Sequence, residues 1–245
     1  MNKFIIYFTF KHNGDWRKIF QDFHSKEIIE QKEIVKYDKI LKQMGLQHLT
    51  ILDNQYPNKL KNVYQPPFTL FYKGDLNLLN DSIFLSIAGD LKDDQNNDYI
   101  IKTLSQINKD NNITLVTFSS NYTNKTVLDY FIKNNMKIIM IHPSGINEND
   151  KYFQFNSVNI LHITEVPIAV KSNKKYTEMA NRLISAISDK LIIYSITKNS
   201  NLNKMINDFL DIGKDIYAFP NVFNDYQNWT NYLIEQGAKI ITGFA

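Results

Sequence analysis

Between Phe68 and Thr242 the chain alternates short, nearly unbroken apolar runs with longer amphipathic segments, and this alternation narrows the possible folds more than any other property of the sequence. Runs such as Leu191-Ile192-Ile193-Tyr194 and Ile138-Ile139-Met140-Ile141 carry no polar residue at every second position, so neither face of such a strand can meet water. Strands buried on both faces belong in a parallel sheet covered by helices. The predicted strands are Phe68 to Tyr72, Ile83 to Ala88, Ile113 to Phe118, Lys137 to Ile141, Val158 to Ile163, Lys190 to Tyr194, Asp215 to Phe219 and Ala238 to Thr242. Helices are predicted over 96–109, 124–135, 175–187, 200–212 and 228–236. The expected fold is therefore α/β, a Rossmann-like, doubly wound and mainly parallel sheet, preceded by a small N-terminal helical domain.

That helical domain is assigned to residues 1–56. Phe4 to Phe10 is too short an apolar run to span a bilayer, and no small-residue cleavage site follows it, so it reads as a first core helix. Gly14-Asp15 breaks the run and offers Asp15 as the N-cap of a helix over Trp16 to Phe23. Ser25 is placed to cap a short further helix, and Glu33 to Met44 forms another, closed by Gly45. Residues 57–67 form a turn-rich connector ending at Pro66-Pro67, and 68–245 form the core.

At 245 residues and 43% hydrophobic, the chain has enough apolar surface for one α/β domain and a small appendage. The absence of cysteine excludes a disulfide framework, thiolate metal sites and a Cys nucleophile, and suits a reducing compartment, so the cytoplasm is the expected location. No stretch reaches the roughly 18 uninterrupted apolar residues of a membrane span. A net charge of +3 identifies no partner by itself. Neither G-x-x-x-x-G-K-[ST] nor G-x-G-x-x-G occurs, and Ser119, Ser120 and Ser144 stand in no G-x-S-x-G elbow, so no cofactor and no catalytic triad are expected. His12, His24, His48, His142 and His162 lack paired metal-ligand spacing, and no metal is expected.

Ligands of such a sheet sit outside the carboxyl ends of its strands. The stretch from Lys171 to Pro220 places a basic loop just ahead of a helix start, where an anion is favoured by the helix dipole and by the charges of Lys171, Lys174 and Lys175. The competing explanation is a solvated lysine loop in a Lys-rich chain, with Arg182 bordering the apolar stripe of Met179, Leu183 and Ile187 and paired structurally to a carboxylate. Tyr122, Tyr152, Phe153 and Tyr176 are aromatics in the candidate loops, where base stacking competes with ordinary packing.

Several of these segments resemble the DNA-processing protein A (DprA/Smf) family. YPNKLKNVYQPPFTLFYKGDLNLL is similar to the family's YP..L..I..PP..LY.KG segment, with Pro57, Pro67 and Gly74 matching. Thr164-Glu165-Val166-Pro167 resembles S-E-x-P. Asn181-Arg182, with Ile184 and Ser188-Asp189, resembles the end of F-P-x-R-N-R-I-I-A-G-L-S-D. GKDIYAFP resembles G-R-x-V-F-A-V-P-G, and TNYLIEQGAKI resembles T-N-x-L-I-x-x-G-A. The resemblance implies a binding protein, not an enzyme, that takes single-stranded DNA, helps load a RecA-type recombinase during natural transformation and forms a homodimer through the second half of the sheet.

The departures concern the pocket. The family's G-S-R is Gly89-Asp90-Leu91 here, and S-G-x-A-x-G-I-D is Ser119 to Thr126 with one serine kept. The first Arg of R-N-R is Ala180, the acid after the next strand is Ser195, and the last Gly of V-P-G is Asn221. Asp90 would repel an anion, leaving Lys92 and Lys125 as point charges. The expected DNA-binding residues are Arg182, Asn181, Lys171, Lys174, Lys175, Gly89, Lys92, Ser119 and Lys125. An interaction module without DNA binding is the alternative, and a nucleotide phosphoribohydrolase-like enzyme a further one.

Overall fold

The computed structural model describes residues 2–25, 29–80, 83–90, 94–107, 112–118, 125–146, 153, 158–167, 170–171, 173–222 and 225–244. The helical N-terminal part comprises α1 (Asn2–His12), α2 (Trp16–His24) and α3 (Gln31–Gln43), followed by β1 (Gln47–Thr50), α4 (Asn58–Lys61) and β2 (Thr69–Lys73). The remainder alternates as β3 (Ile83–Gly89), α5 (Asp94–Leu104), β4 (Ile113–Phe118), α6 (Lys125–Lys133), β5 (Lys137–Ile141), β6 (Ile160–Thr164), α7 (Lys174–Ile187), β7 (Lys190–Ser195), α8 (Leu202–Leu210), β8 (Ile216–Ala218), α9 (Thr230–Glu235) and β9 (Lys239–Ile240).

The strands form one nine-stranded sheet in the order β1-β2-β6-β5-β4-β3-β7-β8-β9. All neighbours from β6 to β9 are parallel, whereas β2 pairs antiparallel with both β1 and β6. The mainly parallel, Rossmann-like sheet expected from the apolar runs is present, and the burial of β4, β5, β6 and β7 along nearly their whole length is its physical basis. One face of the sheet packs on α7 and α8 through Leu183, Ile184, Ile187, Met205 and Phe209. The other packs on α5 and α6 through Ile100, Leu104, Leu128 and Phe131.

Asp15 caps α2 as expected, its carboxylate accepting from the Lys18 amide at 3.3 Å. Within residues 1–56, however, three helices are followed by β1, which lengthens the antiparallel edge of the sheet. The helices also lie directly on that edge. Phe10 meets Phe71 edge-on at 5.6 Å, Trp16 stacks on Phe68 at 5.4 Å, and the hydroxyls of Thr9 and Thr69 share a hydrogen bond of 3.0 Å.

Gly74, where β2 leaves the sheet, has φ +110, and a Cβ added there would run into the Ile160 carbonyl oxygen. Gly74→Ala is therefore expected to lower the unfolding free energy by about 2 kcal/mol in urea titrations. At the end of α7, Lys214 Nζ donates to the carbonyls of Ser185 at 2.7 Å, Ala186 at 2.9 Å and Ser188 at 2.5 Å. These are among the acceptors that a helix leaves unpaired at its C-terminus. Lys214→Met is expected to cost about 1–3 kcal/mol in the same measurement, because the carbonyls lose their donor in a half-buried setting.

Candidate functional site

The chain leaves β3 for β4, β5 and β6 on one side and then crosses back to β7 on the other, so the crevice outside the carboxyl ends of β3 and β7 is the topological switch point. Gly89 and Ser195 face each other there after a register shift between Ala88 and Gly89. A Cβ on Gly89 would stand 2.8 Å from Ser195 Oγ and 3.3 Å from the Ser195 amide nitrogen, so glycine lets the two strand ends approach without displacing the Ser195 hydroxyl. The next residue, Asp90, fills the crevice with its own anion. Its carboxylate accepts from the Thr197 amide at 3.0 and 3.2 Å and from Thr197 Oγ1 at 2.9 Å.

Beside this crevice, a cleft of about 570 Å³ opens between the N-terminal ends of α7 and α8, with Phe118 at the end of β4 among its lining residues. The α7 N-terminus is capped by Asn173, whose side chain accepts from the Tyr176 amide at 3.2 Å. Ser200 Oγ accepts from the Leu202 amide at 3.0 Å at the start of α8. Both helices therefore present positive dipole ends to the same space. Asn181 lines the cleft from α7 and is only 4% exposed. Lys174 stands at the rim with its side chain 90% exposed and only a 3.9 Å approach to Glu178. Lys171 is exposed just upstream.

Arg182 follows Asn181 but points to another flank, as successive helical positions do. Its Nη2 donates to Glu165 Oε2 at 2.6 Å and its Nη1 to the Tyr64 carbonyl at 3.2 Å. The two side chains are 18% and 5% exposed. Burial pushes the Glu165 carboxyl above the ordinary carboxylate range, against the opposing attraction of Arg182. Arg182 thus ties the Thr164–Pro167 turn and the connector to α7. Lys175 lies on the same flank, with Nζ 2.5 Å from Asp15 Oδ2. Both border a separate groove of about 600 Å³ between α2, α7 and α8.

Of the nine residues expected to bind DNA, the cleft takes Asn181 and Lys174 directly, with Lys171 just ahead of its helix. Gly89 sits in the crevice that Asp90 fills, and Arg182 and Lys175 belong to the neighbouring groove. Lys125 is exposed at the first position of α6. Lys92 and Ser119 lie outside the described residues, as do Tyr122 and Tyr152. Phe153 is buried against His162 at 5.2 Å, and His162 Nδ1 lies 2.9 Å from His142 Nε2 in the core. Among the described residues no group of three or more His, Cys, Asp or Glu side chains is arranged to hold a metal ion, and no helix is long and apolar enough to cross a membrane.

One interaction escaped sequence reasoning. The Asp90–Thr197 bridge joins loops 107 residues apart and has no local signature. The carboxylate that pairs with Arg182 structurally is Glu165, whose place among Ile163, Val166 and Pro167 sends it to the interior, where it needs a cation.

The family model described as DNA recombination-mediator protein A matches residues 47–245. The chain is similar to the DNA processing protein DprA of Bacillus subtilis, 25% identical over 206 residues that cover 82% of this chain and 69% of the relative. Its fold is that of the DNA processing protein A of Streptococcus pneumoniae, with a TM-score of 0.72 at 20% identity over 93% of this chain and 77% of that one. It also superposes on DNA processing protein A from Helicobacter pylori, solved for its single-stranded DNA binding mode, with a TM-score of 0.64 at 22% identity over 80% of this chain and 90% of that one.

Proposed function

Because the chain belongs to the DNA recombination-mediator protein A family, we propose that it binds single-stranded DNA in the cleft between α7 and α8. The observation that carries this reading is the cleft itself, where Asn181, only 4% exposed, lines the wall, two helix N-termini open onto the same space and the Lys174 ammonium stands at the rim. Phosphates suit the dipole ends and the lysines, and an amide with both donor and acceptor suits the edge of a base. In this reading the core over 68–245 binds the strand, while the helical unit over 1–56 and the connector over 57–67 brace α7 through Asp15–Lys175 and Tyr64–Arg182. No bond is made or broken. The bound strand is handed to a RecA-type recombinase in the cytoplasm during DNA uptake, and two copies associate along the β9 edge, where Ile240 and, on α8, Leu210 are exposed.

Fluorescence anisotropy with labelled oligonucleotides of mixed sequence tests the proposal. Affinity is expected to be sequence-tolerant and to fall linearly on a log–log plot against salt, with a slope of about −0.7 per phosphate neutralised. Asp90→Asn, which keeps one acceptor for Thr197 but removes the anion beside the cleft, is expected to tighten binding about two- to threefold at low salt and not at high salt. The alternative, an interaction module that has lost DNA binding, is favoured by Asp90 itself. It requires that neither wild type nor Asp90→Asn binds at low salt.

A further inference from the structure

The loop after β7 has two sides. Ser200 and Asn201 line the cleft, whereas Lys198, two residues earlier, places its ammonium 5.1 Å over the ring of Trp229. Trp229 meets Tyr232 edge-on at 5.5 Å, and together with Tyr226 they border an open recess of about 550 Å³. Tyr226 is 98% exposed and Tyr232 49% exposed. From this arrangement we infer that the Tyr226–Trp229–Tyr232 shelf stacks the bases of a single strand as it leaves the α7–α8 cleft.

The shelf is built and held, not a chance exposure of aromatics. Asn221 Nδ2 donates to the carbonyls of Asp225 at 2.8 Å and Asn228 at 3.2 Å, and Asn221 Oδ1 accepts from the Asp225 amide at 3.2 Å. Asn228 Oδ1 accepts from the amides of Ile196 at 3.3 Å and Thr230 at 3.2 Å, and the Trp229 amide donates to the Ile196 carbonyl at 2.7 Å. These bonds pin the shelf to the carboxyl end of β7, one residue from Thr197, which holds Asp90. Asn221 stands where the family pattern has glycine, so the side chain that departs from the pattern is the one that organises this loop.

The occupant follows from the chemistry. The shelf offers flat aromatic faces with a polar rim of Asn221, Asp225 and Asn228, which suits planar bases better than the aliphatic side chains of a protein partner. Lys198, which covers one side of the half-buried Trp229 ring, adds a cation for the phosphates between bases stacked on Tyr226 and Tyr232. Residues 196–201 join the two surfaces, since the Ile196 amide is held by Asn228 of the shelf while Ser200 and Asn201 line the cleft. The inference rests on the single-strand reading and extends it to a second binding surface.

The test compares wild type with Tyr226→Ala/Tyr232→Ala, two exposed side chains whose removal leaves the core packed. Anisotropy is measured with an oligo-dT of about 20 nucleotides and with an abasic strand of the same length, since binding sites for single strands span about 4–16 nucleotides. The double variant is expected to bind oligo-dT about tenfold more weakly with an unchanged salt slope, because removing a stack releases no counterions. Its affinity for the abasic strand is expected to match that of wild type. Equal affinity of variant and wild type for oligo-dT overturns the shelf while leaving the cleft assignment standing. If wild type binds no strand at all, the single-strand reading falls and the shelf with it. Unchanged oligonucleotide affinity together with weakened self-association in analytical ultracentrifugation assigns the shelf to an interface between copies and overturns the inference.

Discussion

Arg182→Ala is expected to lower the unfolding free energy by about 3–5 kcal/mol in urea titrations, because it strands the Glu165 carboxylate in the interior. Glu165 is 5% exposed, Arg182 is its only charged partner among the hydrogen bonds and ion pairs of the described residues, and Oε1 of the same carboxylate already lacks one. The destabilisation should also depend on pH. The folded Glu165 carboxyl titrates above its ordinary value of 4.5 because burial outweighs the attraction of Arg182. Between 4.5 and that raised value the folded protein holds a proton that the unfolded chain has released, so this group's contribution is full below 4.5 and is lost as pH rises through the folded value, above which the carboxylate depends on Arg182. Removing Arg182 takes away the opposing attraction and raises the folded value further. The deficit of the variant is accordingly expected to be larger at about pH 8 than at about pH 5. A double replacement, Glu165→Leu with Arg182→Met, is expected to recover most of the stability, since a packed apolar pair often replaces a buried ion pair at little cost. A single-variant cost below about 1 kcal/mol would mean that the pair is not held in solution and that Arg182 is free to meet a ligand.

The second large effect concerns binding. Lys171→Glu/Lys174→Glu is expected to weaken oligonucleotide affinity about a hundredfold at low salt, and to make the log–log salt slope shallower by about 0.7 for each phosphate that is no longer neutralised. Lys175→Ala is expected to leave affinity and slope nearly unchanged, although it stands next to Lys174 in sequence, because its ammonium is already engaged by Asp15 across the groove. Its effect should appear instead as looser docking of α2, read as faster amide hydrogen exchange in residues 16–24. Equal reductions for Lys174 and Lys175 variants would place the strand in the groove between α2 and α7, not in the cleft between α7 and α8.

The contrast between Lys174 and Lys175 also marks how far the sequence could be read. Apolar runs buried on both faces located the parallel strands closely: β4 and β5 begin and end where expected, and β7 extends one residue farther, to Ser195. β1 escaped because Gln47–Thr50 offers four residues with only two buried, too short a run to declare a period. The lysine loop and helix start were legible from charge and apolar periodicity, since those depend on neighbours in the chain. Which side of α7 each cation faces was not, because helical position alone does not tell whether Asp15, Glu165 or open solvent lies opposite. Asp90 was readable as a negative charge in the wrong place for an anion, but its use of Thr197 depends on the return of the chain to β7. The aromatic shelf was likewise hidden, because Lys198 and Trp229 meet only after β8 and α9 are in place.

The site assignment is tested most directly by photo-crosslinking wild-type protein to thiothymidine-containing single strands, followed by mapping of the adducts to peptides. Adducts are expected in residues 173–181 of α7 and 200–205 at the start of α8, the two walls of the cleft. Adducts confined to the groove lined by Asp15, Tyr64 and Ile212, or none at a concentration where anisotropy shows the strand bound, would contradict it.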